Sequence, residues 1–187
     1  MLLDFSTLDA MQIYKAMSRS VIPRPIAWIV TEDAEVINVA PFSYFTPLSS
    51  DPPSVIVSIG HKTDGTPKDT LANIRKNKKA TVCFVNEASF EAMRQSAEPL
   101  PKEQSEVEAF GMRTKRINDS YPPIVVTCNA AFLCTFLQEV QLGGKTIPLI
   151  LQVDYEYVDD DFVDEKGDIS IENIARVGKT FAKTIPV

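Results

Sequence analysis

The sequence predicts a mainly β protein, an antiparallel barrel with helices packed outside it. Three observations carry that expectation. Apolar, β-branched runs follow one another with turn residues between them, at 21–31, 36–40, 54–60, 80–86, 124–142 and 146–158. Regular strand–helix alternation is absent. No Gly-x-Gly-x-x-Gly follows a strand, which argues against a doubly wound dinucleotide sheet. Consecutive strands with few helices favour an antiparallel sheet closed on itself.

The elements are read in chain order. Ser6-Thr7-Leu8-Asp9 has the pattern of a capping box, and Leu8, Met11 and Tyr14 fall at helical spacing, so a short helix is expected over 8–17. "VIPRPIAWIVT" (21–31) opens with two prolines, which suits an edge or bulged strand before a regular one. "TEDAE" turns the chain, and "VINVA" (36–40) completes a hairpin. "PFSYFTPLSSDPP" (41–53) reads as irregular, with an aromatic cluster. "SVIVSIG" (54–60) and "ATVCFVN" (80–86) are strands. Residues 88–96 read as a helix with Phe90 and Met93 inward, and 98–120 as a charged, mostly exposed stretch. "IVVTCNAAFLCTFLQEVQL" (124–142) is a long strand, turned by Gly143-Gly144 into "TIPLILQVDYEYV" (146–158). Residues 154–168 hold eight acids against Lys166 and read as a solvated face.

Composition narrows the function classes. The 187 residues suit one domain, 1–187, with a substantial core, since 44% are apolar. The formal charge of −6 argues against general nucleic-acid or membrane-surface binding. No apolar run reaches membrane-spanning length, and "MLLDFSTLDAMQ" has no basic region, so no signal peptide and a cytoplasmic location are expected. Cys83, Cys128 and Cys134 are scattered and read as buried, reduced thiols. With one histidine, His61, and no Cys-x-x-Cys, no metal site is expected. No nucleophilic triad or carboxylate dyad is recognisable, so no catalytic side chain is assigned.

The stretch "TDGTPKDTLANI" (63–74) is the most informative. Thr66 suits an N-cap, Pro67 the first helical position, and Asp69 the third. A helix start offers free N–H groups and partial positive charge, which favour a phosphate or carboxylate. Lys62 and Lys68 add full charges. His61 to Lys79 carries net +4 within the −6 chain. A well-capped surface helix with ordinary basic decoration explains these residues equally well, so weight must come from elsewhere. Arg24 and Trp28 lie four apart and share one face of a strand if its pleat is unbroken. In "NVAPFSYF" (38–45), Asn38, Ser43 and the backbone around Ala40-Pro41 can meet the polar edge of a heterocycle. Phe42, Tyr44 and Phe45 can line a flat pocket.

These motifs, "PRPIAWIVT", "NVAPFSYF", "DPPSVIVSIG" and "KDTLANI", resemble in order and spacing those of the flavin reductase-like, FMN-binding split-barrel family, which includes flavoredoxin-like proteins. The likeness covers a core of about 14–158; "ARVGKTFAKT" (175–184), in the tail 159–187, resembles the family's closing Arg-x-Gly-Gly segment. The resemblance implies a six-stranded Greek-key barrel forming a homodimer, with FMN near the dimer interface. It implies that Asn38, Ala40, Pro41 and Ser43 border the isoalloxazine ring. Ser58, His61 and Lys62 would follow the ribityl chain, and Lys68, Asp69 and Thr70 would meet the phosphate. Arg24 and Trp28 sit in the matching motif. In the tail Arg176 and Gly178 match, whereas Lys179 replaces a glycine and Ala182 an aromatic. The implied activity is hydride or electron transfer from NADH or NADPH through FMN to free flavin, a redox partner protein or a small acceptor. A flavin-binding electron carrier or store without nicotinamide activity is the alternative.

Overall fold

The computed structural model describes residues 1–185. Helix α1 (Ala10–Ser20) precedes the short strand β1 (Arg24–Pro25) and then β2 (Ala27–Asp33), β3 (Val36–Phe42), β4 (Phe45–Ser50) and β5 (Pro53–Gly60). Helix α2 (Asp69–Asn77) leads into β6 (Lys79–Phe84), followed by short helices α3 (Phe90–Gln95) and α4 (Glu106–Ala109). A small ladder of β7 (Thr114–Lys115) and β8 (Ile124–Val125) precedes the long hairpin β9 (Ala130–Glu139) and β10 (Thr146–Val158). The tail ends in the hairpin β11 (Ile174–Val177) and β12 (Thr180–Lys183).

The main sheet has seven antiparallel strands in the order β3-β2-β6-β9-β10-β5-β4. Its two edge strands, β3 and β4, are joined by Ser43 and Tyr44 alone, and β3 also contacts β5. The sheet thus curls into a barrel whose edges meet at a corner without a ladder, which is the split barrel expected. The strand count exceeds the six expected because β4 is added at the edge.

Both faces of β2 are buried, which is why it reads as a continuous apolar run. Ala27 and Ile29 face the barrel interior with Val57, Leu149 and Leu151. Trp28 and Val30 face the outer core with Val39, Met93 and Ile124. Leu71 and Ile74 of α2 have no exposed surface and join the interior core. Burying two such side chains contributes about 1.5–3 kcal/mol each, so the core fixes where the tip of α2 sits.

Three local expectations are corrected and a fourth gains detail. The first helix is Ala10–Ser20, and its capping box is formed by Asp9 and Gln12, whose side chains each accept the other's backbone N–H. Asp9 is needed as the N-cap, so it cannot serve as the third residue of a box begun at Ser6. Residues 41–53 are not irregular: β4 lies in them, and its edge position tolerates Pro47. The stretch 98–120 is exposed for the most part, yet Ser105 and Glu106 are buried. The long strand expected over 124–142 breaks after Val125, where Cys128 N–H closes a turn on the Val125 carbonyl before β9 begins. Among the described residues no helix is long and apolar enough to cross a membrane.

Candidate functional site

Two adjoining cavities run along the outer side of β3. The larger, about 470 Å³, is lined by Tyr14, Ser43, Arg94, Arg176, Lys179 and Phe181 among others. The smaller, about 240 Å³, is lined by Asn38, Ala40, Lys62, Lys68, Asp69, Thr70, Ser96 and Glu106 among others. Pro41, Phe42, Ala97 and Glu98 belong to both. The two therefore form one groove from the tip of α2 to the tail hairpin.

The helix start differs from the expectation. The N-cap is Lys68, not Thr66, and α2 begins at Asp69. Pro67 instead sits in a bridge with His61, and the Thr66 carbonyl accepts the Lys62 N–H at 2.8 Å. The loop pairs with itself, so the helix opens later than Thr66-Pro67 suggests. Lysine has no acceptor with which to cap, and Lys68 makes no side-chain cap bond. The first-turn N–H groups are thereby left for another acceptor. Asp69 is neutralised by Lys62, whose ammonium lies 2.9 Å from both carboxylate oxygens. The Lys68 ammonium lies 5.6 Å from the centre of the Phe42 ring. Thr70 is buried, and its hydroxyl accepts from the Asn38 amide at 2.9 Å, which leaves the hydroxyl proton to be donated. The Asn38 amide also reaches Thr31, which accepts from Asn73 at 3.1 Å.

The net +4 of this segment is not aimed at the tip. Arg75 forms a bidentate pair with Glu139, and Lys76 pairs with Asp33. Lys78 lies over Phe136, and Lys79 donates to Tyr121 and Thr135. Only Lys62 and Lys68 of the six line the groove.

The remaining residues of the motifs separate into groups. Ala40, Pro41 and Ser43 line the groove wall on and just after β3. Ser58 and His61 do not line it; Ser58 N–H bonds the Tyr44 carbonyl, and His61 Nδ1 lies 2.7 Å from the Lys145 carbonyl oxygen. Arg24 and Trp28 do not share a strand face, because the pleat breaks at Ile26 between β1 and β2. Arg24 goes to the tail sheet, opposite Arg176, and its guanidinium closes the end of α1 on the Ser18 and Val21 carbonyls. Trp28 has no exposed surface, and its indole N–H donates to Ser96 at 2.8 Å. It stands behind the groove wall and orients a serine that lines it. Gly178 opens the two-residue turn between β11 and β12 at a φ of +55°, and its carbonyl accepts the Arg176 Nε–H. Arg176 stacks on Phe181, 4.3 Å from its centroid, so its charge is held at the groove.

Sequence reasoning missed Glu106. Its carboxylate accepts the Val39 N–H at 2.9 Å and so pairs a group of edge strand β3. Burial pushes this carboxyl above the usual glutamate range; the Val39 N–H opposes that, and the nearby Asp69 charge adds to it. The signal available was Ser105-Glu106, a cap-like pair followed by Val107, in a stretch whose overall charge masked it.

The sequence model of the flavin reductase like domain matches residues 17–167. An uncharacterized protein of Halalkalibacterium halodurans is 34% identical over 186 residues, covering 96% of this chain and 88% of that one. Nitrilotriacetate monooxygenase component B from Bacillus cereus superposes with a TM-score of 0.92 at 27% identity, covering 100% of this chain and 96% of that one. A putative flavin reductase with a split barrel domain from Shewanella frigidimarina has a TM-score of 0.82 at 20% identity, covering 100% and 96%, and so shares the fold.

Proposed function

The chain belongs to the flavin reductase-like family, and we propose that it binds FMN in this groove and passes electrons from NADH or NADPH to free flavin, a redox partner protein or a small acceptor. One observation carries the reading. The uncapped tip of α2, with Lys68 and the Thr70 hydroxyl, opens onto a groove walled by Ala40, Pro41 and Phe42. A helix start of this kind favours an anion. The apolar wall beside it suits a flat ring system. Among the described residues one lysine-bearing helix tip lines the groove, which favours a single phosphate and hence FMN over FAD.

In this reading Lys68, Thr70 and the first-turn N–H groups hold the phosphate, and Asn38 keeps the Thr70 hydroxyl aimed. Pro41 and Ala40 present carbonyls and a smooth wall to the ring. Proline has no N–H, so the Pro41 backbone can only accept there. Arg176, held by Phe181, lends positive charge at the far end of the groove. Bound flavin supplies the hydride and one-electron chemistry itself, so no nucleophile or acid–base dyad is demanded of the chain.

A homodimer belongs to the same reading. Among the described residues of α1 only Ser18 is buried, while Met11, Tyr14, Met17, Val21 and Ile22 expose apolar surface on or just after that helix, next to the groove. A second copy would cover them. Ser58 and His61, set away from this groove, would then contact flavin only as part of the assembled pair. The free, buried thiols of Cys83, Cys128 and Cys134 accord with a cytoplasmic setting.

Mixing the purified protein with FMN tests the reading: the flavin absorbance shifts and its fluorescence falls. Anaerobic addition of NADH and NADPH then bleaches the bound flavin. An unchanged flavin spectrum contradicts the proposal, and flavin that stays yellow with both nicotinamides favours the electron carrier instead.

A further inference from the structure

We propose that Glu106 makes ligand binding in the groove proton-linked: seating a phosphate-bearing flavin draws a proton onto the Glu106 carboxyl, and losing that proton weakens the hold. The inference rests on the flavin reading above and concerns a residue that reading leaves without a role.

The smaller cavity holds five charged side chains. Lys62 and Lys68 are its two cations, and Asp69, Glu98 and Glu106 its three carboxylates. Strand β3, which packs against Glu106, is Val36–Phe42 and carries no titratable side chain. The neighbouring Glu108 on α4 is exposed to solvent. With Glu106 ionised, acids outnumber bases around the very place where a phosphate would add further negative charge. With Glu106 protonated the two signs balance. The geometry gives the proton a reason to stay. Glu106 is 7% exposed, its carboxylate is met by backbone N–H groups, with Val39 at 2.9 Å, and no cation pairs with it among the described residues. A buried carboxylate without a paired cation is costly to ionise, and burial raises its carboxyl above the usual range. An arriving phosphate raises it further by like-charge repulsion.

Glutamine at this position keeps an oxygen for the Val39 N–H and cannot ionise, so Glu106→Gln isolates the proton from the fold. FMN binding is followed by fluorescence quenching across the weakly acidic to weakly alkaline range in both proteins. The phosphate's own ionisation is common to both and cancels in the comparison. Wild-type affinity is expected to fall more steeply with rising pH; the two curves meet at the acid end, and the variant binds roughly tenfold tighter at the alkaline end, the effect of about one unit of linked pKa. Calorimetry of both proteins in buffers of unlike ionisation heat counts the protons directly. More proton uptake, or less release, by wild type than by Glu106→Gln on binding FMN supports the proposal, since a phosphate buried among cations releases protons equally in both. Parallel pH curves, or equal proton counts in the two proteins, overturn the role of Glu106 while leaving flavin binding intact. Failure of both proteins to bind FMN at any pH overturns the flavin reading and this inference with it.

Discussion

The side-chain amide of Asn38 donates to the hydroxyl of Thr70 across 2.9 Å, tying edge strand β3 to the first turn of α2. Both residues are buried, so the bond is shielded from water. Removing Asn38 orphans the Thr70 hydroxyl, and removing Thr70 leaves the Asn38 amide only its longer 3.3 Å contact with Thr31, each at a cost of about 1–3 kcal/mol. Asn38→Ala and Thr70→Val should each lower unfolding stability by that amount. The double variant should lose less than their sum, because neither orphan then remains. Chemical denaturation of the four proteins measures the coupling. Strictly additive losses would mean that the two side chains act independently.

Leu71 anchors the same tip from inside the barrel. It has no exposed surface and packs among Ile29, Val57 and Leu149. Leu71→Ala should destabilise the protein by about 2–5 kcal/mol, the usual cost of such a cavity. It should also weaken FMN binding, since the tip loses its footing. A variant with wild-type stability in urea would show that α2 is not held by this contact.

Glu106 also leaves a mark on stability without ligand. Its carboxyl is raised in the folded protein by burial and by Asp69, so the folded state favours the protonated form. That contribution is whole below the ordinary glutamate value of 4.5 and is lost as pH rises through the raised folded value. Wild-type stability relative to Glu106→Gln should therefore fall across that window and level off above it. Thermal unfolding at a series of pH values measures it, and a gap independent of pH would contradict the assignment.

The three thiols should be inert in the native protein. Burial, with Asp154 adding and Lys79 opposing, drives Cys134 far above the usual thiol range. Cys128 is raised by its hydrogen bond with Cys83 and by burial. Little thiolate is then present at these two, and Cys83 has no exposed surface for a reagent to reach. A thiol reagent should label none of the three before unfolding and all three after it. Rapid labelling of native protein would place at least one of them at the surface.

Much of this was legible in the sequence because it rests on local chemistry. The long hairpin followed from alternating β-branched runs around Gly143-Gly144, and β2 from an apolar run long enough to be buried on both faces. The groove wall was legible because "NVAPFSYF" combines a proline with small and polar residues. What escaped depends on contacts distant in sequence. Thr66 looked like the cap because Asp69 follows it by three, but pairing of the loop with His61 moved the helix start to Lys68. The basic run looked like a phosphate site, yet Glu139, Asp33 and Tyr121, all distant in sequence, claim three of its six charges. Arg24 and Trp28 looked like neighbours on one face until a break at Ile26 sent them to different sheets. Glu106 lay hidden in a charged stretch because only the fold brings it against Val39.

The most direct test of the central claim compares FMN with riboflavin, which lacks the phosphate, in equilibrium titrations of wild-type protein and Lys68→Ala. Wild-type protein should hold FMN at least about tenfold more tightly than riboflavin, as expected for a charge-assisted contact. In Lys68→Ala that preference should shrink while riboflavin affinity stays nearly the same. Equal affinity for the two flavins, or a preference untouched by the substitution, would contradict that claim.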